Sequence, residues 1–155
     1  MSPRERRLEA DLRLMAELAA SGKLSFQTEG NPPDRYVVEL HVAGLGRDTD
    51  GLPELRDSHT FEIYLPLDYP RRPPLLQWLT PIFHPNILPP DRHGAVCIGS
   101  WTASESLADL CRRLHDLVAY RSFSVDDPLD RRAAAWVRHA EINQGDDLRE
   151  ALAGV

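Results

Sequence analysis

Apolar positions change period along the chain, and the changes mark out its elements. Leu8, Leu12, Met15 and Ala19 recur at helical spacing. Ser2-Pro3-Arg4-Glu5 ahead of them is a capping-box pattern with proline at the first helical position, and Gly22 closes the run. The period then drops to two. Leu24, Phe26 and Thr28 alternate, Asn31-Pro32-Pro33-Asp34 reads as a turn, and Tyr36, Val38, Leu40 and Val42 form one face of a second strand. Residues 44–57, with Gly44, Gly46, Gly51 and Pro53, read as a polar loop. Phe61, Ile63 and Leu65 mark a third strand, and Leu75 to Leu79 a short fourth. No helical crossover separates these segments, so an antiparallel meander is expected rather than a parallel sheet.

Eight of the thirteen prolines fall between Pro66 and Pro90. Proline lacks the donor that a ladder or helix interior needs, so this stretch is extended and irregular. It also holds Tyr69, Trp78, Ile82 and Phe83, which makes it a loop packed on a core. Helical period returns after Trp101. Thr102-Ala103-Ser104-Glu105 is a second capping-box pattern, followed by Leu107, Leu110, Cys111, Leu114, Leu117 and Val118. Ser122 to Pro128 breaks the helix, Asp130 to Ile142 restores it, and a short helix follows Gly145. The pattern predicts a single α+β domain over residues 1–155, with an N-terminal helix, a four-stranded antiparallel meander and C-terminal helices.

Composition narrows the function. The 155 residues are 42% apolar and 27% charged, which excludes a disordered tail, a collagen-like repeat and a disulfide-stapled miniprotein. No window approaches about 18 consecutive apolar residues, so no transmembrane helix is expected. The first twenty residues alternate charge with apolar positions, unlike a secretory leader. Two cysteines and no leader favour a reducing, cytoplasmic setting. Eighteen basic residues against twenty-four acidic ones leave a net charge of -6. The basic residues are dispersed, so neither nucleic acid nor a membrane is an expected partner. The first helix is balanced, with Arg4, Arg6, Arg7 and Arg13 against Glu5, Glu9, Asp11 and Glu17 on a face read as solvated. Lys23 is the only lysine beside seventeen arginines, which reads as the coding bias of a GC-rich bacterial genome.

Cys97 is the leading candidate for chemistry. It lies in His93-Gly94-Ala95-Val96-Cys97-Ile98-Gly99, between the proline-rich loop and a helix. A free thiol with a pKa near ~8.5 is a usable nucleophile at neutral pH. The alternative is a small buried hydrophobe, and that reading suits Cys111, which sits on a helical apolar stripe. His84, His93 and Cys97 are metal-ligand types, but no further pair completes four ligands, so no metal is expected. Cys97, His139 and Asn143 supply the order of a papain-like hydrolase, although His139 and Asn143 fall on one expected helix. His41, His59 and His115 have no partners by spacing. Gly44, Gly46 and Gly51 lack the context of a phosphate loop.

An ordered series of motifs points further. It runs Tyr69-Pro70-x-x-Pro73-Pro74, then Thr80-Pro81-Ile82-Phe83-His84-Pro85-Asn86-Ile87, then Gly94-x-Val96-Cys97-Ile98, Trp101, and Asp126-Asp127-Pro128-Leu129. Over nearly the whole chain it resembles the ubiquitin-conjugating enzymes, with a bacterial member suggested by the arginine bias. The resemblance implies the ubiquitin-conjugating-enzyme fold. It implies that Cys97 accepts the C-terminal carboxyl of a ubiquitin-like modifier as a thioester. Asn86 then steadies an oxyanion or the adjacent loop, and Asp127 orients and deprotonates the incoming amine. His84 is implied to be structural, and Leu114 falls on the helix that packs against the modifier or on the core. The implied partners are a modifier protein, an activating enzyme and a target protein. No cofactor is implied, and a role in phage defence follows only by analogy with bacterial operons.

The chain also departs from the pattern. The segment from Asn86 to Cys97 is longer, with Pro89, Pro90 and His93, and the one from Cys97 to Trp101 is shorter. Arg71 stands where an aromatic residue is common, and Thr102-Ala103-Ser104 where Ser-Pro-Ala is usual. A RING-type ligase is therefore a doubtful partner. A non-catalytic binding module of the same fold is the runner-up reading, and a cysteine hydrolase comes third.

Overall fold

The computed structural model describes residues 1–153. Helix α1 spans Pro3–Ala20, and the Ser2 hydroxyl accepts the Glu5 N–H at 3.1 Å, as a capping serine should. Its buried stripe is Leu8, Asp11, Met15 and Leu18, while Leu12 and Ala19 are half-covered. Asp11 was expected on the solvated face and instead lies on this stripe.

Four strands follow in sequence order as one antiparallel sheet: β1 (Leu24–Gly30), β2 (Pro33–Arg47), β3 (Pro53–Tyr64) and β4 (Leu75–Trp78). The register pairs Leu24 with Leu40, Phe26 with Val38 and Phe61 with Trp78. The expected loop over 44–57 is mostly strand, with only residues 48–52 turning. Gly44 and Gly46 misled because glycine usually marks a turn. Gly44 sits beside an irregularity in β2, where a Cβ would stand 2.6 Å from Val118 and 2.8 Å from His59. The glycine lets the helix approach the strand. The turn itself is closed by Asp48, whose carboxylate accepts the N–H groups of Asp50 and Leu52 at 2.8 and 2.9 Å.

Inward side chains of the sheet, Tyr36, Val38, Leu40, Phe61, Ile63 and Trp78, pack against α1 and against α2 (Leu107–Val118). Trp78 stacks on Phe61 with centroids 5.1 Å apart. A smaller core joins Leu45 and Phe83 to Tyr120, α3 (Arg131–His139) and α4 (Leu148–Ala153).

Helix α2 starts later than its sequence suggests. Thr102–Ser104 is a turn, and the working box is Ser106 with Asp109, each side chain bonded to the other's backbone N–H. Asp11 moves the boundary. Its Oδ1 accepts the Leu107 N–H at 3.0 Å, one of the donors a helix start leaves free. Its Oδ2 accepts Arg7 Nε at 2.9 Å and the Tyr69 hydroxyl at 2.5 Å. Arg7 also donates to the carbonyls of Ala103 and Glu105, and Trp101 Nε1 donates to Pro70 O at 2.8 Å. This buried knot ties α1, the Tyr-Pro loop and the start of α2 together. Among the described residues no helix is long and apolar enough to cross a membrane.

Candidate active site

The site is built where the proline-rich loop passes under the end of α2. Phe83 is held on both sides of its peptide. Its N–H donates to Leu45 O at 2.8 Å, and its carbonyl accepts the Tyr120 hydroxyl at 2.6 Å. His84 follows, fully buried and packed on the Tyr120 ring at 4.6 Å. Its Nδ1 accepts the Asn86 N–H at 3.0 Å, and its Nε2 lies 2.7 Å from Leu117 O. A carbonyl can only accept, so these partners place the proton on Nε2. Burial pulls the imidazole pKa down to about 4, so His84 is neutral at neutral pH. With both ring nitrogens engaged, it is neither a metal ligand nor a mobile base.

Asn86 is buried and makes three joins. Its carbonyl accepts the Cys97 N–H at 2.9 Å. Its side-chain Oδ1 accepts the Ser124 N–H at 3.0 Å, and its Nδ2 donates to Ser124 O at 2.9 Å. One amide proton of Nδ2 remains beyond that bond. The long segment between Asn86 and Cys97 does not separate them, because it closes on itself. Leu88 N–H donates to Ala95 O at 2.8 Å, and the N–H groups of Arg92 and Gly94 both reach Pro89 O. A 3-10 turn covers Pro90–Arg92. Gly94 then lies flat against β4, its φ is 60°, and a Cβ there would come within 2.5 Å of Trp78 O. Only glycine fits this position.

Cys97 is exposed. The chain beyond it is held from α2, where Arg113 donates to Ile98 O at 2.7 Å while its Nε pairs with Glu105 at 2.7 Å. The thiol edges a groove of about 340 Å³ whose lining includes Asn86, Gly99, Leu114, Leu117 and Phe123. Leu114 is only 1% exposed, so it belongs to the core and flanks the groove. Polar residues Asp109, Arg112, Arg113 and Asp116 form the outward face of α2. Asp127 is exposed, with φ 51°, and is not among the groove-lining residues. It stands on the same 122–130 segment as Ser124, beyond a turn in which Ser124 Oγ accepts the Asp126 N–H at 3.2 Å.

The structure thus brings Cys97 and Asn86 together and puts Asp127 on the adjoining segment. It does not assemble the hydrolase alternative. His139 is exposed on α3, and neither it nor Asn143 lines the groove. Asn143 instead sits in a turn with its N–H on Asp146. Cys111 is fully buried, which pushes its thiol up to about 12. Two structurally central residues escaped the sequence reading. Asp11 falls three positions after Leu8 and four before Met15, on the apolar stripe itself. Asp130 is an acidic residue just ahead of a helical run, the signal of an N-cap.

The sequence profile of the family described as ubiquitin-conjugating enzyme matches residues 18–150. The chain belongs to this family. Among curated relatives, ubiquitin-conjugating enzyme E2 T of Danio rerio is 30% identical over 131 residues, covering 79% of this chain and 61% of that protein. Ubiquitin-conjugating enzyme E2 pex4 of Dictyostelium discoideum is 32% identical over 91 residues, covering 56% and 58%. The chain therefore spans about six tenths of the length of the curated relatives it matches. Among solved structures, the E2 domain of a Toxoplasma gondii ubiquitin conjugating enzyme superposes with a TM-score of 0.58 at 26% identity, covering 83% of this chain and 86% of that one. The ubiquitin-conjugating-enzyme fold expected from the motif series is the fold observed.

Proposed function

We propose that the chain, acting as one catalytic domain over residues 1–155, is a conjugating enzyme for a ubiquitin-like modifier. The observation that carries this reading is the pairing of an exposed thiol with a fixed amide. Cys97 opens onto a groove, while the residue that binds its N–H, Asn86, is locked on both sides. In the loading step the Cys97 sulfur attacks the thioester carbonyl of a charged activating enzyme. A new S–C bond forms, the old one breaks, and the activating enzyme's thiol leaves. In the transfer step an amine nitrogen of the target attacks the Cys97 thioester. A tetrahedral oxyanion forms, then collapses to an amide as the Cys97 thiolate departs.

Asn86 serves the second step in two ways. It holds the 122–130 segment in place, and its remaining amide proton is a donor for the oxyanion that does not titrate. Asp127, on the segment that Asn86 holds, is the acceptor for the proton that the incoming ammonium sheds before its free amine attacks, because an exposed carboxylate can orient an ammonium and take its proton. The thioester is activated enough that positioning, rather than a strongly shifted thiol, governs the rate. Neither step calls for a metal or cofactor on this chain.

The test is intact-mass analysis after incubation with ATP, ubiquitin and a ubiquitin-activating enzyme, repeated with other ubiquitin-like modifiers and their activating enzymes. The expected result is a modifier-sized adduct that disappears with thiol reductant and in Cys97→Ala. Activating enzymes that charge themselves but never pass a modifier to this chain would favour the non-catalytic binding module.

A further inference from the structure

Asp130 is 1% exposed, and its carboxylate is fully engaged. Oδ1 accepts the Ala133 N–H at 3.0 Å and so caps α3. Oδ2 accepts Arg47 Nη2 at 2.7 Å, and the guanidinium of Arg92, from the turn inserted ahead of Cys97, approaches to 3.9 Å. The peptide N–H groups of Leu129 and Asp130 both donate to Pro85 O, at 2.9 and 3.1 Å. Arg47 reaches the other way. Its Nε donates to Ile82 O at 2.7 Å, and its guanidinium lies over the Phe83 ring at 4.9 Å.

The ion pair therefore joins two stretches of chain that meet again at the site. Arg47 holds Ile82 and Phe83, which lead into His84-Pro85-Asn86. Asp130 ends the segment that carries Ser124 and Asp127. That segment is bracketed by the Asn86–Ser124 lock at one end and the Pro85–Asp130 contacts at the other. Asp127, left-handed and exposed, makes no side-chain hydrogen bond or ion pair among the described residues, so its place depends on the two brackets. A buried ion pair adds little net stability over apolar packing of equal volume, but it admits few orientations.

We propose that Asp130, through Arg47, is a positioning residue for the transfer step that sets the 122–130 segment, and with it Asp127, against Asn86. The consequence for transfer rests on the proposed conjugating activity, whereas the consequence for the segment's order does not. The test compares wild type with Asp130→Asn, Arg47→Met and the double variant. Asparagine keeps the cap to Ala133, and the double variant leaves no buried charge unpaired, so it remains informative where a single variant folds poorly. Two readouts are needed. The first is hydrogen exchange at the Ser124, Leu129 and Asp130 amides against those of α1. The second is discharge to free lysine of Cys97 preloaded from a glycyl-glycine thioester.

Losing a charge-assisted bond should speed exchange at these three amides by about tenfold while α1 is unchanged. Loading of Cys97 should be unaffected and lysine discharge should slow several-fold. The double variant should be no worse than the poorer single one, because both remove the same contact. Unchanged exchange in the three amides, or exchange that rises equally in α1, would overturn the proposal. If wild type loads but never discharges to lysine, the conjugating reading fails, and the exchange result still decides whether Asp130 orders the segment.

Discussion

Asn86 and Cys97 share a backbone hydrogen bond, yet they are built in opposite ways. On the Asn86 side His84 is buried with both ring nitrogens occupied, and the Asn86 amide is bonded through both its oxygen and its nitrogen. On the Cys97 side the sulfur is exposed, and its loop is tethered mainly by Arg113, a side chain still 43% exposed. The difference suits an acyl carrier. A donor for developing charge must be fixed before the reaction, because reorganising it would cost part of what it contributes. On the proposed function, the sulfur must instead be open to two large protein partners in turn. A cysteine buried as Cys111 is, with its thiol pushed up to about 12, could do neither.

The sharpest way to separate the two sides is to remove one atom group from each. Cys97→Ala should abolish adduct formation while leaving stability within about 0.5 kcal/mol of wild type, as exposed sites usually do. Denaturant titration alongside intact mass checks both halves. Asn86→Ala should leave loading intact but slow transfer to an amine by about 10² to 10³, the usual cost of losing a preorganised donor. Single-turnover discharge kinetics measure this directly.

Acid should weaken the fold through its buried histidines. Burial lowers the pKa of His84, and of His59 on β3, from 6.5 to about 4. Each neutral ring contributes stability that is fully present above pH 6.5 and is lost as pH falls towards 4, since the unfolded chain takes up the proton first. The loss should be roughly 3 kcal/mol per histidine at most, and His84→Gln should remove its share of the slope. Unfolding free energies measured from pH 7 to 4 test this. The smallest effect is expected at the exposed side. Arg113→Met frees Ile98 O and should raise the rate of Cys97 alkylation only two- to threefold or so, because an exposed ion-pair network is worth about 1 kcal/mol or less.

Most of the fold was legible because it rests on period. Helical spacing from Leu8 to Ala19, alternation from Tyr36 to Val42 and the apolar stripe from Leu107 to Val118 all gave elements of the right type. What was missed has a common cause. Gly44 signals a turn to its neighbours in sequence but serves a contact with Val118, which only the folded chain brings near. Thr102–Glu105 has the letters of a capping box, but Asp11, far away in sequence, bonds the Leu107 N–H and helps set the helix start one turn later. Asp11 looked like surface charge and Asp130 only like the start of a helix, because single residues do not reveal their partners. The site divided along the same line. Cys97 and Asn86 could be picked out from ordered motifs. The Ser124 lock and the Arg47–Asp130 pair could not, since both join segments distant in sequence.

The most direct measurement is the rate at which preloaded Cys97 gives up a glycyl-glycine acyl group to free lysine, followed by intact mass in wild type and Asn86→Ala. It needs no cognate modifier or activating enzyme. A fixed donor beside an exposed thiol requires that both proteins load equally, that the acyl group sits on Cys97 rather than Cys111, and that the variant discharges at least a hundredfold more slowly, about the lower limit for loss of such a donor. Equal discharge rates would contradict it, and would leave Asn86 as scaffolding for the loop rather than part of the chemistry.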